Sequence, residues 1–198
     1  RRELGLAGGS TRRPQGWAAD LRFRQKGSLL RVRGTADLAE ELLDNGHQVA
    51  VSVAFLETAA MLSEALAARG WRTGRITGEA GPAENEAVRV AFQSGGLDAV
   101  LFTPTESISL HQGEIAGGER PRALVVHDLR YSAIQMQQVE GRCHRDGKAA
   151  AIWYAYAEDT VEEKVAAAVV RRMIAMDGMA GDDTAMLLEI AAILSAAD

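Results

Sequence analysis

The feature that most constrains this chain is an alternation of short apolar runs with helical patterns, repeated five times. Residues 48–55 (QVAVSVAF), 72–77, 97–103 (LDAVLFT), 122–127 (RALVVH) and 149–156 (AAAIWYAY) read as strands, most of them too uniformly apolar for a half-exposed sheet. Between them, residues 56–69 repeat Leu56, Ala60, Leu62 and Leu66 at helical spacing and stop at Gly70. Residues 82–92 open with proline in a first turn, and residues 132–141 and 160–176 complete the helices. Thr35 is expected to cap a helix from Ala36 to about Leu43, ended by Asn45-Gly46, and Asp183 or Thr184 to cap a last one. Strand and helix in this rhythm predict right-handed crossovers: an α/β fold with a parallel sheet of about five to six strands and helices on both faces. Ligands of such sheets sit beyond the carboxyl ends of the strands, so the loops after Phe55, Thr103, His127 and Tyr156 are the first candidates.

The 198 residues suffice for one sizeable core. No apolar run approaches the ~20 residues of a membrane helix, and residues 1–33 lack the apolar core of a signal peptide, so no membrane is implied. One cysteine, Cys143, excludes an internal disulfide, and with four histidines it argues against structural zinc; a reducing cytoplasm is the expectation. Residues 1–33 carry nine Lys/Arg against Glu3 and Asp20, a net +7 within a chain whose total is −5. A basic segment on an acidic body suits a polyanion, nucleic acid above all, and equally suits a solvated linker. Residues 1–34 are therefore read as a basic arm or linker, 35–176 as the folded lobe and 177–198 as a helical appendage.

No G-x-x-x-x-G-K-[S/T] is present, so nothing here can cradle a triphosphate alone. No acidic box follows an apolar strand, and Gly8-Gly9, Gly95-Gly96 and Gly117-Gly118 read as turns. One string carries chemistry: Gln138-Val139-Glu140-Gly141-Arg142-Cys143-His144-Arg145-Asp146-Gly147-Lys148. Arginines three apart share one face of a helical turn, and just past the helix after the fourth strand they are expected at the edge of the carboxyl-end ligand face. Paired guanidiniums there suit a polyphosphate because each planar fork binds two oxygens and never titrates. A bare R-x-x-R is ordinarily a surface ion-pair helix end.

This string is not bare. It resembles motif VI of superfamily-two helicases and translocases, Q-x-x-x-R-x-H-R-x-G-[Q/K], in the variant of Swi/Snf-like ATPases and their bacterial and phage relatives; Gln138, Arg142, His144, Arg145 and Gly147 match. In order along the chain, residues 48–55 are similar to the motif IV strand, and Ile76-Thr77-Gly78 to the strand and glycine before motif V. Residues 99–112 stand in the place of motif V, and Asp159–Lys164 look like the opening of the helix after motif VI. The resemblance covers about residues 35–176 and implies a RecA-like helicase C-terminal lobe, the second of a two-lobed motor. Three departures stand out: Glu106, Ser107 and Ser109 replace motif V glycines, Asn85 replaces an arginine, and Asp146 an apolar residue.

What the resemblance implies is an ATP-dependent DNA helicase or double-strand DNA translocase. ATP and Mg2+ would be held mainly by a first lobe that this chain lacks, an N-terminal RecA-like lobe of the same parent chain. Arg142 and Arg145 would be the catalytic arginine fingers, with Arg145 the principal finger and Arg142 its partner. Gln138, Gly141 and His111 would line the nucleotide-binding interface, His111 standing where an Asn or Asp often meets the ribose. Thr103, Ser52 and Gly78 would hold nucleic-acid phosphates, which fixes register without reading sequence. Nucleic acid, DNA in the first instance, is thus the expected partner, and the isolated chain is expected to be inactive. The other open reading is a non-catalytic nucleic-acid-binding or partner-docking RecA-like module, which the altered motif V favours. His144 is expected as a satisfied hydrogen-bonding residue beneath the arginines, Trp153, Tyr154 and Tyr156 as core, and Cys143 as a spacer whose pKa flanking arginines could lower.

Overall fold

A computed structural model describes residues 13–103, 108–113, 115–116, 119–130, 133–144 and 149–177. The apolar runs become five parallel strands: β1 (Gln48–Ser52), β2 (Thr73–Ile76), β3 (Ala99–Phe102), β4 (Arg122–Val126) and β5 (Ala151–Tyr154). Their order in the sheet is β2-β3-β1-β4-β5, so β1 is central and β2 and β5 are edges. Register aligns Ser52 with Phe102 and with Val126, and Ile76 with Phe102, which brings the carboxyl ends of four strands level. β1, β3 and β4 are buried throughout, as strands covered on both faces must be.

Alternate residues of each strand feed two cores. Val49, Val51, Leu101 and Val125 pack under α1 (Arg13–Asp44) and α2 (Leu56–Ala68), through Ala36, Ala39, Leu42, Leu62 and Leu66. Ala50, Val100, Phe102, Leu124 and Val126 face the other way, against Phe92 of α3 (Pro82–Gln93), Met136 and Val139 of α4 (Ala133–Glu140), and Val169 and Met173 of α5 (Val161–Asp177). Burying a Leu or Phe contributes about 1.5–3 kcal/mol, so these two layers dominate the stability of the fold. The predicted stops hold. Gly46 (φ +87°) and Gly70 (φ +92°) adopt the left-handed conformation open to glycine and close α1 and α2 with paired amide bonds, His47 N–H to Leu42 O and Trp71 N–H to Leu66 O. Pro82 begins α3 as read.

Two expectations change. The helix assigned to residues 36–43 begins at Arg13 and runs through Thr35, so most of the supposed linker is helix. Thr35 is not a cap: it is buried, and its hydroxyl lies 2.8 Å from His127 Nδ1. The stripe Ser28, Val32, Thr35, Ala39 and Leu42 faces inward at helical spacing, and its two polar members hide the periodicity. Trp153, expected in the core, is 46% exposed, because β5 is an edge strand and α1 lies over β1 and β4. Residues 1–12 and the helix expected after Asp183 or Thr184 lie outside the described residues.

Candidate nucleotide and nucleic-acid sites

A helix that follows a parallel strand must run back antiparallel to it, and this decides where the motif VI string lands. α4 leaves the carboxyl end of β4 and ends at Glu140, so the turn Gly141–His144 lies at the amino end of the sheet. Hydrogen bonds fix that position. Leu110 N–H donates to Arg142 O at 2.7 Å, while Leu110 O accepts from Nε of Arg122, the first residue of β4, at 3.1 Å. The arginine pair was expected at the edge of the carboxyl-end ligand face. Arg142 instead sits at the opposite end, one strand length away, or about 15 Å at roughly 3.3 Å per residue.

The structure thus sorts the sequence-derived residues into two groups. At the amino end, Arg142 is half-buried and donates from Nη1 to Ile108 O at 3.3 Å; its Nε is buried and has no hydrogen-bond partner among the described residues. His111, next to Leu110, is half-buried with Nδ1 2.6 Å from Ser109 Oγ. Gly141 is exposed in the turn, its amide bonded to Gln137 O, and Gln138 is exposed on α4. Arg145, Asp146 and Gly147 lie outside the described residues, as do Glu106 and Ser107. His144, expected as a satisfied hydrogen-bonding residue, is exposed. Cys143 departs from expectation more sharply: it is fully buried, and loss of solvent pushes its thiol up to about 12 although Arg122 acts in the opposite direction.

At the carboxyl end, Thr103, Ser52 and Gly78 are brought side by side at the ends of β3, β1 and β2. Thr103 N–H donates to Ile76 O at 3.1 Å, and Val53 N–H to Phe102 O at 3.0 Å. Gly78 is exposed and Thr103 is buried to 6% exposure. Ser52 is fully buried, and its hydroxyl has no partner among the described residues, so it does not face a surface ligand. The Asn85 side chain accepts from Thr77 N–H (3.2 Å) and donates to Thr77 O (2.9 Å), pinning the loop before Gly78.

Two polar networks were not foreseen. Beside the carboxyl end, Asp128 accepts from Arg31 (3.0 Å), Ser28 Oγ (3.1 Å) and Ala54 N–H (2.7 Å), and Arg31 also pairs with Glu162 of α5. His127 is fully buried; Nε2–H donates to Ser28 O (3.0 Å), so the neutral ring accepts from the Thr35 hydroxyl at Nδ1, and burial lowers its pKa. At the amino end, Arg122 is buried over the Phe92 ring, 4.8 Å from guanidinium carbon to centroid, and desolvation lowers its pKa to about 10. Close by, Asp98 is held at about 2, chiefly by Arg72 and also by Arg120. The available signal was a polar residue opening a buried strand: Gln48 before VAVS and Arg122 before ALVV.

Among the described residues no group of three or more His, Cys, Asp or Glu is gathered to hold a metal ion, and no helix is long and apolar enough to cross a membrane. No family model matches the sequence, and no curated protein matches it. Solved structures do. The chain is similar to the C-terminal part of the Fun30 ATPase domain (17% identity, 67% of this chain and 44% of that one, TM-score 0.57). It is similar to the C-terminal domain of the DEAD-box protein Dbp5 (19%, 69% and 78%, 0.51) and to the RNA-helicase Prp28 from Chaetomium thermophilum bound to ADP (18%, 74% and 35%, 0.55). It spans less than half the length of the Fun30 and Prp28 chains. The fold is that of a helicase C-terminal RecA-like lobe, an α/β parallel sheet with helices on both faces.

Proposed function

We propose that this chain is the second motor lobe of an ATP-dependent DNA helicase or double-strand DNA translocase. Residues 35–176, with Ser28, Arg31 and Val32 of α1 packed on them, form the lobe. ATP and Mg2+ are held mainly by a first lobe, across whose cleft Arg142 and Arg145 meet the γ-phosphate. The observation that carries this reading is the docking of the motif VI turn on the segment after β3, through Leu110 N–H and Arg142 O. That bond joins the two segments that resemble motifs V and VI in a fold shared with helicase C-terminal lobes. The nucleic-acid track is assigned to the other end of the sheet, to Thr103 and Gly78, with Ser52 supporting them from beneath. DNA is favoured over RNA by the Swi/Snf-like form of the string and by the basic residues of 1–33, of which Arg22, Lys26 and Arg33 are exposed on α1.

The test is steady-state ATPase activity of the two-lobed parent with duplex DNA, single-stranded DNA and RNA in turn. Stimulation is expected with DNA. An arginine finger contributes on the order of 10³–10⁵ in rate, so Arg145→Ala nearly abolishes turnover while nucleic-acid affinity stays near normal. Arg145→Lys rescues little, since an ammonium lacks the planar fork. Near-wild-type turnover of Arg145→Ala, or tight ATP binding by the isolated 198-residue chain, refutes this reading.

A further inference from the structure

Arg122 is a buried cation whose partners among the described residues are all neutral. Its Nε donates to Leu110 O (3.1 Å), Nη1 to Gln48 Oε1 and Arg120 O (3.1 Å), and Nη2 to Gln93 Oε1 (3.1 Å). Nothing about opening a buried strand requires a charge there, and desolvating one is costly. What the fork achieves is a junction between segments distant in sequence: β1, the end of α3, the start of β4 and residues 109–110. Gln93 extends the grip, since its Nε2 donates to Ser109 O at 2.9 Å. Residues 109 and 110 are therefore held twice, by Arg122 directly and by Arg122 through Gln93. The same short segment holds Arg142, through Leu110 N–H to Arg142 O at 2.7 Å and through Ile108 O, which accepts from Arg142 Nη1 at 3.3 Å. Cys143, the next residue, is buried.

We propose that Arg122 is a positioning residue for Arg142, fixing residues 108–110 so that the Arg142 carbonyl and guanidinium are held in one arrangement. The inference rests on the reading of Arg142 as a finger, and the experiment separates the two. In the two-lobed parent, Arg122→Met is expected to lower kcat by about 10²-fold, the scale of a misplacement near 1 Å, and to leave the KM for ATP unchanged. Gln93→Leu, which spares Arg122, gives a smaller loss in the same direction. Arg122→Lys recovers only part of it, because a compact ammonium does not span Leu110, Gln48 and Gln93 together. Independently of turnover, amide hydrogen exchange of Leu110 in the 198-residue chain speeds up in Arg122→Met by a larger factor than exchange of the amides of β1 and β3, which follows the global loss of stability alone. Wild-type kcat in both Arg122→Met and Gln93→Leu, unchanged exchange at Leu110, or exchange at Leu110 that speeds up no more than that of β1 and β3, each overturns the proposal. Wild-type kcat in Arg142→Ala strikes the motor-lobe reading instead, leaving the exchange result at Leu110 to stand by itself.

Discussion

Arg31 and Arg122, at opposite ends of the sheet, are buried in opposite ways. Beside the carboxyl ends, Asp128, Arg31 and Glu162 form a balanced chain in which each ion has an opposite neighbour. At the amino ends, Arg122 is held by carbonyl and amide oxygens and an aromatic face. Comparable burial thus produces different fragility. Removing an ion from a balanced chain strands its partner without water, whereas removing Arg122 leaves only neutral acceptors behind.

The difference is largest for Asp128→Ala. It strips Arg31 of one carboxylate and leaves Ala54 N–H without its acceptor, so a loss of about 3–5 kcal/mol in unfolding free energy is expected by denaturant titration. Arg122→Met should cost less, about 1–3 kcal/mol for its orphaned acceptors. Equal costs would erase the distinction between the ends.

Acid should separate the ends next. Burial lowers the pKa of His127 below the ordinary 6.5, so the unfolded chain takes up a proton that the folded chain resists. Stability present above about pH 6.5 is therefore lost as pH falls below it, and the carboxyl end weakens first. Asp98 is depressed from 3.8 to about 2, so its contribution is intact above about pH 4 and is lost between there and about pH 2. That shift corresponds to about 2 kcal/mol, trimmed towards about 1 because Arg72 is half in water. Unfolding measured from pH 7 to 2 should show two declines, the upper one absent in His127→Gln and the lower one in Asp98→Asn. Loss of both declines in either variant would mean that the ends titrate as one unit. The smallest effect is electrostatic: replacing the exposed Arg22, Lys26 and Arg33 of α1 by Gln, which spares Ser28, Arg31 and Val32, should flatten the dependence of log DNA affinity on log salt by about 0.9 for each phosphate released. Equal slopes with and without these charges would remove this face of α1 from the nucleic-acid track.

The strands and helices could be read from the sequence because β1, β3 and β4 are continuous apolar runs and their helices end on Gly46 and Gly70. α1 could not, because its inward stripe includes Ser28 and Thr35, which look like solvent-facing residues until His127 and Asp128 are seen opposite them. The Gln138–Lys148 string was visible in the sequence, but the place of its Arg142 was not. The rule that ligands gather at carboxyl ends says nothing about a turn carried to the far end by α4. Arg122 was hidden for a related reason: as the first letter of RALVVH it passes for a strand boundary, and only Leu110, Gln48 and Gln93, brought together by folding, give it a role.

Cys143 gives this architecture a built-in stopwatch. It is the chain's single thiol, fully buried beside Arg142 and, with a pKa pushed up to about 12, almost wholly protonated at pH 8. A thiol reagent in solution can react only with molecules whose Gly141–His144 turn has swung open and let water reach the sulfur. The labelling rate of the unmodified protein then counts those openings, with no probe added to the site. Any ligand or lobe that clamps the turn should slow the clock in proportion.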